Sequence, residues 1–95
     1  MSSLRKRTEA IFSDFVTTEL DLALTFYDIA HTTEDPERAE RNIENARRAF
    51  ESAKDFVSRM KRNGHGYDAT IDERLVEMEP HLYGDDAITA RTPLR

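Results

Sequence analysis

The side chains with a spacing suited to chemistry are few. Asp28-Ile29-Ala30-His31 sets a carboxylate and an imidazole one helical turn apart, the i,i+3 geometry used by carboxylate-bridged di-metal bundles. Glu19 lies about two and a half turns earlier. A metal held by Glu19, Asp28 and His31 would also need carboxylates from a facing helix. The facing stripe is apolar throughout (below), so the ligand set is incomplete within one chain. His31, near a helix C-terminus, reads more simply as a cation suited to the helix dipole, and Asp28 as a solvated carboxylate. No cofactor is expected.

Two basic runs make the second candidate. Arg5-Lys6-Arg7 lies near the start of the chain and Arg59, Lys61 and Arg62 close its second helical segment. If those segments run antiparallel, the six cations gather at one end with Glu9 as the nearest acid. Such a cluster would suit phosphate, an anionic lipid head group or an acidic protein segment. It has no interleaved aromatics for base stacking, so nucleic acid is not expected. The competing reading is that it pairs with the chain's own acidic C-terminal segment. His65 and His81 each sit beside a Gly or Pro breaker, with no Ser or Cys arranged around them. They are read as loop residues, without a nucleophile–base pair, and the chain is not read as an enzyme.

Composition narrows the field further. The 95 residues contain no cysteine and no tryptophan, which removes disulfide frameworks, thiolate nucleophiles, zinc knuckles and iron–sulfur clusters. Net charge is −5, so the whole-molecule field repels phosphate backbones. Charged residues are 35% and mean hydropathy is −0.72, yet Phe, Leu, Ile and Val suffice for one modest core. The opening Met-Ser-Ser-Leu-Arg-Lys-Arg runs into polar Thr8 and Glu9 instead of an apolar signal core, so a cytoplasmic protein is expected. The most apolar stretch, Ile11 to Ala30, is broken by Asp14, Glu19, Asp21 and Asp28, and no membrane span is expected.

The elements that must position these groups are helical. From about Thr8 to His31 there is neither Gly nor Pro, and Phe12, Val16, Leu20, Ala23, Tyr27 and Ala30 form one apolar stripe. A second stripe runs through Ile11, Phe15, Leu22, Phe26 and Ile29, interrupted only by Glu19. This helix is apolar over more than one partner can cover. Asp35-Pro36 predicts the next start, with Asp35 as cap and Pro36 in the first helical position. Asn63-Gly64 predicts its end. Between them Ala39, Ile43, Ala46, Phe50, Ala53, Val57 and Met60 step four, three, four, three, four, three, the seam of three heptads. Glu37–Arg41, Glu44–Arg48 and Asp55–Arg59 lace the outer face at i,i+4. A capping box at Thr70-Ile71-Asp72-Glu73 predicts a short third helix, Thr70 to Glu79, stopped by Pro80. No segment recurs at the period of about 34 residues that marks helical repeat arrays.

The short connection near residues 32–35 predicts an antiparallel hairpin. Charge agrees: residues 1–35 hold three basic and seven acidic side chains, −4, and residues 36–63 hold eight and five, +3. The expected fold is all-α: a long antiparallel helical hairpin with a short third helix over residues 1–80, then a flexible tail over 81–95. The leftover stripe predicts a homodimer through Ile11, Phe15, Leu22, Phe26 and Ile29 that pairs two hairpins into a four-helix bundle. Glu19 is expected to reach the edge of the stripe and pair with an Arg of the second helix or of a second subunit; the alternative is a polar break that fixes helix register in an oligomer. The functional expectation is an oligomerisation or adaptor-like protein-interaction module, with a metal- or phosphate-binding helical bundle as the alternative.

Overall fold

The computed structural model describes the backbone of residues 2–84 and the side chains of residues 6–84. It is all-α. Among the described residues are three α-helices, α1 (Ser2–Thr32), α2 (Pro36–Arg62) and α3 (Ala69–Glu79), then one π-helical turn, Pro80–Gly84, and no strand.

The ends of α2 follow from local chemistry. Glu37 N–H donates to the Asp35 carboxylate at 3.1 Å, and Pro36 occupies a position whose N–H would have had no helical partner. At the other end Gly64 takes φ 74°, the left-handed conformation a β-carbon disfavours. This lets Gly64 N–H reach the Lys61 carbonyl (3.1 Å) and His65 N–H the Met60 carbonyl (2.9 Å), the paired bonds of a Schellman stop.

Two boundaries differ from expectation. α1 begins at Ser2, a turn and a half ahead of Thr8. Its first turn holds no acid, and cations follow where the dipole favours anions, so the start carries no signal although nothing there breaks a helix. α3 is capped by Asp68, whose carboxylate accepts Thr70 N–H at 3.0 Å, and not by the Thr70 box. That bond, to an ionised acceptor at a helix N-terminus, holds the Asp68 carboxyl below its ordinary range.

The packing follows the stripes. Val16, Leu20 and Ala23 of α1 close on Ala46, Phe50 and Ala53 of α2, all at 0% exposure, with Val57 and Met60 buried beyond them. Phe12 of α1 meets Phe56 of α2 edge-on at 5.3 Å, and Glu9 reaches Gly66, so the first turns of α1 lie beside the last turns of α2. α3 lies against α1, where Arg74 pairs with Asp21 at 2.9 Å, and the π turn that follows it sets His81 against Tyr27 at 5.7 Å; α3 itself buries Ile71 and Met78. Among the described residues no other helix backs the side of α1 that carries Ile11, Phe15, Leu22 and Ile29, which stay exposed.

Pro80 does not end the helical path. Its φ of −64° is helical, and the wider π turn accommodates a residue with no N–H to give. This carries Leu82 into the core at 1% exposure, where Arg47 Nε donates to its carbonyl at 2.7 Å. Tyr83 lies under the Arg47 guanidinium (5.3 Å) and donates its hydroxyl to Glu51 at 2.7 Å. The tail expected from residue 81 therefore opens with four helical residues; from residue 85 onward it lies outside the described residues.

Burial, then the bond to Glu51, pushes the Tyr83 phenol from 10.0 up to about 12. A phenol that is harder to ionise in the fold contributes stability that is complete below pH 10 and lost as pH climbs toward 12, because the unfolded chain gives up this proton first. Tyr83→Phe should flatten that alkaline loss. Denaturant midpoints taken across this pH window check it, and an equally steep decline in the variant would refute the assignment.

Candidate functional site

α1 carries two rows of apolar residues one position apart, and among the described residues the fold covers one of them and leaves most of the other exposed. The row Phe12, Val16, Leu20, Ala23, Tyr27 and Ala30 faces the core. In the row before it, Ile11 is 59% exposed, Phe15 42%, Leu22 41% and Ile29 37%, and Phe26 is half-buried. Steps of four, four, three, four and three from Ile11 through Glu19 to Ile29 make this a continuous coiled-coil seam with one charged position. It runs for about 27 Å at 1.5 Å per residue. On its outer edge stand Thr18 and Thr25, both exposed and uncharged.

Its inner edge is a groove of about 420 Å³ between α1 and α2, lined by Glu19, Leu22 and Phe26 on one wall and Asn45, Arg48, Ala49 and Ser52 on the other. The depth comes from Ala49 and Ser52, too short to meet the opposite wall. One turn beyond Ser52 on α2, the ring of Phe56 lies 4.7 Å from that of Phe15. Glu19 is half-buried here. Among the described residues neither Glu19, Asn45 nor Arg48 has a hydrogen bond or ion pair, so the intrachain partner expected for Glu19 is not formed. Asn45, Arg48, Ala49 and Ser52 escape sequence reading because they lie on the flank of α2, where polar residues read as solvated.

The proposed metal ligands are not brought together. Glu19 lines the groove and Asp28 is exposed, while His31 Nδ1–H donates to the Tyr27 carbonyl at 3.0 Å with its ring over Tyr27 at 4.1 Å. No group of three or more His, Asp or Glu among the described residues is arranged to hold a metal ion.

The basic residues share one end of the molecule but are differently engaged. Lys6, Arg7 and Arg62 are exposed, and Arg5 lies outside the described side chains. Arg59 pairs with Asp55 of its own helix at 2.9 Å. Lys61 lies beside Tyr67, whose hydroxyl donates to Asp72 of α3 at 3.0 Å. Burial and then Asp72 raise the Tyr67 phenol, against the opposing pull of Lys61. The acidic C-terminal segment thus reaches this end through Tyr67.

His65 is tucked in, edge-on to Phe12 at 5.5 Å with Nδ1 3.8 Å from the Glu9 carboxylate, which accepts Gly66 N–H at 2.8 Å. His81 borders a small cavity of about 100 Å³ with Leu24, Tyr27, Met78 and Leu82.

No helix among the described residues is long and apolar enough to cross a membrane. Comparison with protein-family models, with curated proteins and with solved structures finds no match to this chain.

Proposed function

We propose that this chain is a self-associating helical interaction module. The antiparallel hairpin of α1 and α2, braced by α3 on one side, pairs through its other side with a second copy to form a four-helix bundle. Its role is that of an oligomerisation or adaptor unit, exerted through this surface and not through catalysis.

The observation that carries the reading is the uncovered seam. Four large apolar side chains, Ile11, Phe15, Leu22 and Ile29, stand exposed in heptad spacing along one face of α1, while α3 occupies the opposite side. A contiguous apolar row of this length marks an interaction surface in a water-exposed protein. A helix in the fourth position of a bundle would cover it, and homo-oligomers most often supply such a helix by two-fold symmetry.

Sedimentation equilibrium at micromolar concentration tests the proposal. The expected mass is twice the 11.0 kDa of the chain. A mass of 11.0 kDa throughout that range would overturn it.

A further inference from the structure

The seam on α1 reads nearly the same in both directions: isoleucine, phenylalanine, then the pair Glu19 and Leu22, then phenylalanine and isoleucine. Only the central pair breaks the palindrome. We infer that the occupant of this face is a second copy whose α1 runs antiparallel to the first, about a two-fold axis midway between Glu19 and Leu22, and that Glu19 there meets Arg48 of the partner subunit. The inference rests on the self-association proposed above and adds its register.

A two-fold axis at that level sets Phe15 against Phe26 of the partner subunit. It sets Ile11 within one residue of Ile29 of the partner subunit, and Glu19 against Leu22 of the partner subunit. Large groups meet large groups along the whole seam, as an isologous contact demands, since each residue pair then occurs twice.

Charge selects the same register. A parallel pairing would place the two Glu19 carboxylates opposite one another in an apolar seam, where an unpaired charge is costly and a like-charged pair more so. The antiparallel register separates them along the axis. On α2, Arg48 lines the same groove as Leu22, so the partner residue facing Glu19 brings a guanidinium with it. Both Glu19 and Arg48 are without an ion pair or hydrogen bond among the described residues.

The chain has no cysteine of its own, so single introduced thiols report register directly. Ile11→Cys and Ile29→Cys proteins, mixed, allowed to exchange subunits and oxidised, should give a disulfide-linked dimer on a non-reducing gel. Neither variant alone should, because thiols must approach closely to link. In parallel, Glu19→Arg should weaken dimerisation at least about tenfold, and adding Arg48→Glu should restore it to within a few-fold of the parent. Self-linking of the Ile11→Cys protein, an unlinked mixture in a protein of dimer mass, or a Glu19→Arg defect that Arg48→Glu leaves unrepaired would each overturn the register while leaving self-association standing. A monomer mass for the parent chain would instead remove the self-association on which the register depends.

Discussion

Replacing Phe50 with alanine is expected to cost about 3–5 kcal/mol, the transfer energy of the lost ring plus the cavity it leaves. Phe50 has no exposed surface and sits mid-seam on α2. Its neighbours on that seam, Ala46 and Ala53, are fully buried and too small to fill the gap, and the ring of Tyr83 lies 6.1 Å away, fixed by its bond to Glu51. The space therefore has little means of collapsing. A domain of this length has a total stability of about 5–14 kcal/mol at the usual per-residue value, so the loss is a large fraction of it. Thermal melting followed by far-ultraviolet circular dichroism should show Tm lowered by at least about 12 °C, or no folded baseline. A shift of a degree or two would mean that the α2 seam does not form the core.

The features legible in the sequence are those decided within a few residues. Asp35-Pro36 and Asn63-Gly64 delimit α2 because capping, proline placement and the left-handed glycine are local physics, complete before any tertiary contact. α1 lacks such a mark at its start: Arg5, Lys6 and Arg7 oppose the dipole there, and helix continues simply because no residue stops it. Pro80 shows the converse. As a breaker it should have ended α3, but the slot between α1 and α2 rewards burial of Leu82, and the Arg47 side chain binds the Leu82 carbonyl. That reward depends on residues more than thirty positions away and leaves no trace in the local sequence.

The candidate surface divides along the same line. The seam on α1 is legible from its three- and four-residue steps, since every apolar residue there exceeds what one neighbour can cover. The groove wall on α2 is not. Asn45, Ala49 and Ser52 each precede a seam position by one residue, and that row looks like the edge of a solvated face until α1 is laid beside it. The i,i+4 spacing assigns Arg48 to Glu44. Of the three i,i+4 pairs expected on α2, only Asp55–Arg59 closes among the described residues. Exposed pairs of this kind gain well under about 1 kcal/mol, too little to commit Arg48 to its own helix.

Leu22→Asp is expected to dissolve the dimer while leaving the single chain folded. Leu22 is 41% exposed at the rim of the groove, and α1 meets the core through Val16, Leu20 and Ala23 instead, so folding loses little by the change. In the proposed dimer it stands, with Glu19, nearest the two-fold axis, and symmetry applies each substitution twice. The new carboxylate enters an apolar seam, one turn from Glu19, where like charges at helical spacing repel and where the nearby guanidinium, Arg48, is already the proposed partner of the partner subunit's Glu19. Disrupting a central residue of an interface costs about 2 kcal/mol or more, hence about 4 kcal/mol for the two sites together. That corresponds to a rise of about a thousandfold in the dimer Kd. Sedimentation equilibrium should report the 11.0 kDa chain at concentrations where the parent is dimeric, with helical circular dichroism retained. Val76→Asp, on α3 at 73% exposure and on the opposite side, supplies the control and should leave the mass of the parent unchanged. Loss of helix in the Leu22 variant would place Leu22 in the core, and a dimer indifferent to Leu22→Asp would locate the contact elsewhere.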